Sequence, residues 1–211
     1  MAKVLITGFE PFAGESVNPS WQVASALQGW QLDDEVEVTA VKLPCVFKQS
    51  LLTVEQAVNQ LKPVVVIMLG QAAGCSQLML EKIASNFIDA NIADNAGQQP
   101  RNCLTASHGP AAYFSNLPLN AMLQALHLQN IPAQLSLSAG SFVCNHSFYG
   151  LMHLIKNQYV SMRGGFIHLP YLPEQVLLKP GSPSMELATQ ITALKICIEV
   201  SLQQQADQLM A

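Results

Sequence analysis

Charge is what this sequence lacks most. Of its 211 residues, 10 are basic and 14 acidic, so 11% are charged and 50% are hydrophobic. A typical globular domain has about 25% charged residues. Lysines and arginines are scattered and the net charge is −4. We therefore expect no nucleic-acid partner, because such proteins usually carry a basic patch. The shortage of surface charge also favours a homo-oligomer that covers part of the exterior over a monomer with a Gln/Asn/Ser-rich surface, which fits too.

Long hydrophobic runs and paired cysteines are missing as well. The longest apolar run, residues 64–69, is far too short to cross a bilayer. The opening MAKVLITG indicates a first strand and not a signal peptide, so no membrane association is expected. The five cysteines form no CxxC motif, which predicts a reduced, cytoplasmic chain without a disulfide framework or zinc site. At about 150 residues per domain, one domain over residues 1–211 is expected.

Hydrophobic patterns along the chain predict strands that alternate with helices. The predicted strands are residues 3–7, 35–43, 64–69, 82–89, 134–138 and 165–169. The predicted helices are residues 18–28, 46–61, 117–129, 143–157 and 184–210. Alternation of this kind favours a largely parallel sheet that is covered on both faces. The predicted fold class is a single three-layer α/β/α sandwich.

Reactive residues follow several of the predicted strands. In open α/β sheets, ligands bind outside the carboxyl ends of the strands. Cys144 lies between a strand and the start of a helix, whose N-terminus favours a thiolate and offers N–H groups to an oxyanion. His168 ends a strand that is expected to point to the same edge of the sheet. It is therefore the preferred base for Cys144, and the other four cysteines are expected to be structural.

The other histidines do not define a metal site, and the acids do not identify the third catalytic residue. His146 and His153 share a helix face and could form half of a metal site, but no third ligand follows at a suitable spacing. A packed or solvated pair is therefore expected, and no metal. A carboxylate should orient the catalytic imidazole, and spacing does not choose among the candidates Glu10, Glu81, Asp89 and Asp94. The residues alone thus predict a thiol hydrolase whose third member is open.

Five segments together resemble the type I pyroglutamyl peptidases, also called pyrrolidone-carboxylate peptidases. They are ITGFEPFAGESVNPSW (6–21), GQAAG (70–74), NIADNAGQQP (91–100), SAGSFVCNHSFYGLMH (138–153) and RGGFIHLPYLPEQ (163–175). The resemblance implies a cytoplasmic cysteine peptidase, often tetrameric in bacteria, with an α/β/α fold. Its implied activity removes N-terminal pyroglutamyl residues from peptides without a metal or cofactor. By position, it implies Cys144 as nucleophile, His168 as base and Glu81 as orienting acid.

The resemblance also implies which residues bind the five-membered lactam of the substrate. Phe9 and Phe12 match the aromatic pair that holds the ring, and Asn18 matches a loop-holding asparagine, although a helix-capping role suits it equally well. The remaining implied binding residues are Gln71, Phe142 and the backbone near Val143. A lactam has no free ammonium group, so the pocket needs no acidic anchor. An ordinary N-terminus would be excluded, because an ammonium buried without a partner is costly.

The sequence departs from the family pattern near the site. Cys75 follows GQAAG where the family usually has arginine, and Leu80 replaces the proline of a Thr-Pro-Glu-Arg run. Asn91 stands where the family usually has an arginine close to the active site. Loss of that positive charge would weaken thiolate stabilisation. Two alternatives therefore remain: a catalytically impaired binder of pyroglutamyl peptides, or a thiol hydrolase with a different acyl specificity.

Overall fold

A seven-stranded sheet forms the centre of the molecule. The computed structural model describes residues 2–33 and 35–203. In chain order the strands are β1 (Ala2–Phe9), β2 (Gln31–Asp33), β3 (Val36–Leu43), β4 (Val65–Gln71), β5 (Leu78–Glu81), β6 (Ile83–Ser85), β7 (Ala112–Phe114), β8 (Ala133–Ser136) and β9 (Arg163–Leu169). The main sheet has the order β2-β3-β1-β4-β9-β5-β8, and β6 pairs with β7 in a separate ribbon.

Five helices cover the sheet in two layers. They are α1 (Pro19–Ala26), α2 (Gln49–Leu61), α3 (Leu119–Leu128), α4 (Val143–Gln158) and α5 (Leu187–Gln203). Side chains alternate along β1, so that Val4 and Ile6 join the core beneath α1, α3 and α5, whereas Leu5 and Phe9 join the core beneath α2 and α4. Both faces of the strand are therefore buried, as its unbroken apolar pattern predicts. The predicted α/β/α class is confirmed.

Helix boundaries follow local chemistry. α1 begins as predicted, because the Asn18 side chain accepts the Ser20 N–H at 3.1 Å and Pro19 is the first helical residue. α2 begins at Gln49, later than predicted, because Lys48 adopts a left-handed φ of 62°. The predicted continuation of the last helix through residues 204–210 lies outside the described residues. No helix in the described part of the chain is long and apolar enough to cross a membrane.

Strand directions differ from the prediction on one side of the sheet. β5 runs antiparallel to β9 and parallel to β8, so β8 does not point its carboxyl end to the edge at which β9 ends. The expectation that these two strands end at the same edge of the sheet is therefore wrong. Cys144 lies near His168 because the loop 137–142 brings the chain back over the sheet. The strand predicted at residues 82–89 is also wrong in its bounds and its place: β6 covers only Ile83–Ser85 and lies in the two-stranded ribbon, and the main sheet instead contains β5 (Leu78–Glu81), which was not predicted. Strands of three or four residues are too short to show a hydrophobic period.

Candidate active site

Cys144 lies in the first turn of α4. Phe142 caps the helix and Val143 is its first residue. A Cβ atom built on Gly70 would lie 3.0 Å from Cys144 Sγ and 2.7 Å from Cζ of Phe166. Residue 70 therefore has to be glycine for the thiol to approach the sheet this closely. Gly70 also pairs with His168 across β4 and β9, so the thiol lies over the strand position beside the imidazole.

Strand register brings His168 and Glu81 together. In the β5–β9 pair, Met79 is opposite His168 and Glu81 is opposite Phe166, which makes Glu81 and His168 diagonal neighbours on one face. His168 Nδ1 is 2.8 Å from Glu81 Oε1, and the two residues are 7% and 1% exposed. A carboxylate only accepts, so Nδ1 carries the hydrogen and Nε2 remains available to receive a proton from the thiol.

The other candidate acids have structural partners. None of them has a recorded contact with His168, which leaves Glu81 as the acid that meets the imidazole in the described structure. Their contacts are the Cys45 N–H for Glu10 (3.0 Å), the Arg101 guanidinium for Asp89 (2.6 Å) and the Phe47 N–H for Asp94 (2.9 Å). Each of these bonds fixes a loop, which explains why an acid in a loop need not be catalytic.

Two opposing effects act on the Cys144 thiol, which is half-buried. Removal from water raises the pKa of Cys144, and the Cys45 thiol and the Glu81 carboxylate raise it further. The helix N-terminus acts in the opposite direction, because its free N–H groups stabilise a thiolate. Formation of the nucleophilic thiolate therefore calls for a neighbouring base that takes the proton.

The aromatic residues implied for the lactam occupy two neighbouring places. Phe12 and Phe142 contact each other, with ring centroids 6.1 Å apart and planes tilted by 35°. Phe9 is only 2% exposed and packs 6.5 Å from Phe166, whose ring lies 4.7 Å from the His168 ring. Phe12 and Phe142 thus form a partly exposed aromatic wall. Phe9 is buried instead and packs against Phe166, the ring that contacts the His168 imidazole.

The polar residues implied for the lactam have defined partners. Gln71 ends β4, and its side-chain oxygen accepts a hydrogen bond from Gln175 at 2.9 Å. Asn18 is 2% exposed; besides capping α1, it donates to the Glu10 carbonyl at 3.1 Å. Asn18 therefore caps the helix and holds the loop 10–18 at the same time.

The departures from the family pattern lie at different distances from the chemistry. Leu80 is fully buried in the core beneath α1, α3 and α5, on the sheet face opposite Glu81. Cys75 is half-buried, and burial followed by the charge of Glu81 raises its pKa. Asn91 is exposed, and Arg101 places a guanidinium on the adjoining Ala90 carbonyl at 3.4 Å. That guanidinium is paired with Asp89 at 2.6 Å, so its charge is largely balanced beside this segment.

The paired histidines of α4 face different surroundings. His146 Nε2 accepts the Lys48 N–H at 3.2 Å, whereas His153 Nδ1 lies 2.8 Å from the Tyr113 hydroxyl. Across residues 2–33 and 35–203, no three His, Cys, Asp or Glu side chains are grouped so that they could hold a metal ion. The two histidines are packed residues, as the missing third ligand predicts.

His146 predicts a loss of stability in mild acid. Burial, reinforced by the Lys48 charge, lowers the pKa of His146 from 6.5 to about 4. Between these values the unfolded chain binds a proton that the folded chain does not, so the free energy of unfolding falls as pH falls. At about 1.4 kcal/mol per pKa unit, the loss is about 3 kcal/mol by pH 4. Urea denaturation at pH 6.5 and 4.5 should show about 2 kcal/mol of this loss.

Substitution separates this effect from carboxylate titration. In His146→Gln, the decrease in stability between the two pH values should be smaller than in the wild type by about 2 kcal/mol. The exposed His108 offers a matched control, and His108→Gln should keep the wild-type pH dependence. Equal pH dependence in His146→Gln and the wild type would contradict the assignment.

Sequence reasoning missed two residues that shape this site. Gly70 carries no chemistry, and only the close approach of Sγ and the Phe166 ring reveals its role. Phe47 lies in the loop before α2 and packs edge-on against Phe142, with ring centroids 5.3 Å apart. The predicted helix 46–61 included Phe47, so its place in a loop was not foreseen; the available signal was only a bulky aromatic residue, which needs an apolar partner.

A half-buried thiol at a helix start, beside an imidazole held by a carboxylate, defines a cysteine hydrolase that works through acyl transfer. A family model described as pyroglutamyl peptidase matches residues 2–204. The chain belongs to this family, which confirms the resemblance.

Similar proteins agree with the family over nearly their whole length. The pyrrolidone-carboxylate peptidase of Enterobacter sp. (strain 638) is 47% identical over 207 residues, with 98% of this chain and 96% of that protein covered. The crystal structure of pyroglutamyl peptidase I from Bacillus amyloliquefaciens is similar with a TM-score of 0.94 at 40% identity, covering 100% of this chain and 99% of that one. A mutant pyrrolidone carboxyl peptidase from the hyperthermophile Pyrococcus furiosus gives a TM-score of 0.92 at 38% identity, covering 95% of this chain and 98% of that one.

Proposed function

We propose that this protein is a cysteine peptidase that removes an N-terminal pyroglutamyl residue from peptides, with Cys144 as nucleophile, His168 as base and Glu81 as orienting acid. The observation that carries the assignment is the His168–Glu81 pair, joined at 2.8 Å beside the strand position over which the Cys144 thiol lies. Membership of the family supports the substrate class. No metal or cofactor takes part in the proposed reaction.

Acylation begins with proton transfer from Cys144 Sγ to His168 Nε2. The sulfur attacks the pyroglutamyl carbonyl carbon, and the N–H groups in the first turn of α4 stabilise the resulting oxyanion. Glu81 accepts the Nδ1–H bond throughout and stabilises the imidazolium. His168 then gives the proton to the departing amine, the C–N bond breaks, and a thioester remains on Cys144.

Deacylation reuses the same groups. His168 takes a proton from a water molecule, whose oxygen attacks the thioester carbonyl. The C–S bond breaks, and the sulfur regains its proton from His168, which releases pyroglutamate and restores the neutral thiol. Each proton moves through Nε2 only, because Nδ1 stays bonded to Glu81.

Lactam recognition is assigned to the surroundings of α4. The Phe12–Phe142 wall offers apolar surface to the flat ring, and Phe9 supports the neighbouring Phe166. We assign the Gln71 region and the Val143 backbone to the lactam C=O and N–H, and Asn18 to holding the loop that carries Phe12. The site requires no carboxylate for a substrate ammonium, because the lactam carries none.

A comparison of two substrates tests the function. A fluorogenic pyroglutamyl amide should be cleaved under reducing conditions, whereas the matching alanyl amide should be cleaved at least about 100-fold more slowly, because its ammonium would be desolvated without a partner. The measurement is kcat/KM for each amide. Binding of pyroglutamate by a folded protein that cleaves neither amide would instead favour the impaired binder, and cleavage of another acyl amide would favour a different acyl specificity.

Assembly and location complete the proposal. We assign the chain to a homotetramer of single-domain subunits in the cytoplasm. Several large apolar side chains on the described surface support subunit contacts, among them Leu128, Val160, Leu177 and Leu178 at 79–94% exposure. All five cysteines are free thiols, which suits a reducing compartment.

A further inference from the structure

The aromatic wall continues behind Phe142. The Phe47 ring is 3% exposed and stands edge-on to Phe142, with centroids 5.3 Å apart and an interplanar angle of 88°. Phe12 contacts the same ring at 6.1 Å. Edge-to-face aromatic pairs contribute beyond simple burial. The position of Phe142 is therefore set between Phe12 and Phe47.

Phe47 itself is held by buried hydrogen bonds. Its N–H donates to the Asp94 carboxylate at 2.9 Å, and Asp94 is only 6% exposed. Its ring lies edge-on to His146, with centroids 5.5 Å apart. The next residue, Lys48, donates its N–H to His146 Nε2 at 3.2 Å. The backbone of Phe47 therefore cannot move away from Phe142 without breaking these polar contacts, which are costly to leave unpaired, and the Phe142 and His146 rings pack against its side chain.

We propose that Phe47 determines the size of the lactam ring that the enzyme accepts. This inference rests on the proposed function, because it requires that the Phe12–Phe142 wall receives the lactam. Phe47 does not touch the substrate; it acts as a positioning residue that stops Phe142 from yielding. An apolar pocket discriminates one methylene by about 10- to 200-fold, and it can exclude a larger ring only if its wall does not move. Phe47 keeps Phe142 in place, so a six-membered lactam is rejected.

Shortening Phe47 tests the inference. The substrates are fluorogenic amides of 5-oxopyrrolidine-2-carboxylic acid and of its six-membered homologue, 6-oxopiperidine-2-carboxylic acid. Phe47→Leu should reduce the kcat/KM preference for the smaller ring by about 10-fold or more. The change should be mainly a lower KM for the six-membered substrate, because Phe142 can then yield to the larger ring. The rate at which iodoacetamide alkylates Cys144, measured against pH, should stay the same because Cys144, His168 and Glu81 are unaltered.

A matched variant separates ring selection from general loosening. Phe148 is fully buried and packs 5.8 Å from Phe166, with no recorded ring contact to Phe142. Phe148→Leu removes the same volume and should keep the preference between the two rings. Methionine has nearly the same volume as leucine but is unbranched and adapts to irregular space; if Phe47→Leu does not fold, Phe47→Met should shift the preference in the same direction.

Three results would overturn the inference. The first is an unchanged ring preference in folded Phe47→Leu or Phe47→Met, and the second is an equal shift of that preference in Phe148→Leu. The third is a change in the alkylation rate of Cys144 in Phe47→Leu that parallels the change in its ring preference. A wild-type protein that cleaves neither amide would overturn the proposed function and this inference with it. That result is distinct from an active wild type whose ring preference the Phe47 variants leave unchanged.

Discussion

Replacing Cys144 with alanine should abolish turnover. The expected fall in kcat for a pyroglutamyl amide is about 10⁵-fold or more, because loss of a covalent nucleophile leaves only binding and oxyanion stabilisation. Folding should survive, since alanine is smaller than cysteine and favours the helix. Binding of pyroglutamyl peptides should survive too, because the Phe12–Phe142 wall is unchanged. Steady-state kinetics, a melting curve and a binding titration measure the three quantities.

The exposed Cys103 serves as the control for thiol removal. Its thiol donates to the Arg101 carbonyl at 3.0 Å and has no recorded contact with the residues of the active site. Cys103→Ala should keep wild-type turnover and its sensitivity to iodoacetamide, whereas Cys144→Ala should lose both. Turnover that persists in purified Cys144→Ala would show that another group is the nucleophile.

Replacing Glu81 with glutamine should lower kcat by about 10³- to 10⁴-fold, which is less than the loss in Cys144→Ala. Glutamine fills the same space between β5 and β9 but carries no charge to stabilise the imidazolium of His168. Its amide can also donate to Nδ1, which would move the imidazole hydrogen to Nε2 and block proton transfer from the thiol. KM should change little, because Glu81 has no recorded contact with the lactam wall. Kinetics and the pH dependence of Cys144 alkylation measure the effect.

Asp89 is a matched carboxylate outside the proton-transfer path. It pairs with Arg101, whose side chain is 56% exposed, and exposed ion pairs contribute about 1 kcal/mol or less. Asp89→Asn should therefore change kcat by less than about 5-fold. A loss in Glu81→Gln as large as in Cys144→Ala, accompanied by a lower melting temperature, would mean that Glu81 chiefly holds the structure.

The fold was predictable where the chain repeats a pattern long enough to recognise. The unbroken apolar run of β4 and the Asn18-Pro19 start of α1 each carry a local signal, and both elements lie close to where they were predicted. The direction of β5 carries none, because reversal depends on which neighbour the strand pairs with and not on its own four residues. The antiparallel pairing of β5 with β9 was therefore beyond sequence reasoning.

The site was predictable in its chemistry and not in its packing. Cys144 and His168 follow from residue type and position in the chain, and Glu81 entered only through the resemblance, since four acids were equally placed in sequence. The 2.8 Å contact of Glu81 with His168 depends on strand register. The pKa of Cys144 was expected to be lowered by the helix N-terminus, but α4 lies so close to the sheet that burial raises it instead.

The strand positions of Glu81 and His168 also place them in a part of the enzyme that opens less easily than the loop carrying Phe12. Both belong to interior strands of the sheet, where hydrogen exchange is slow because exposure requires cooperative unfolding. Phe12, in contrast, lies in a loop whose next residues, Ala13 and Gly14, are exposed, and such loops open at little cost in free energy. The pair that transfers the proton therefore keeps its geometry from one turnover to the next, whatever local opening occurs at the exposed loop.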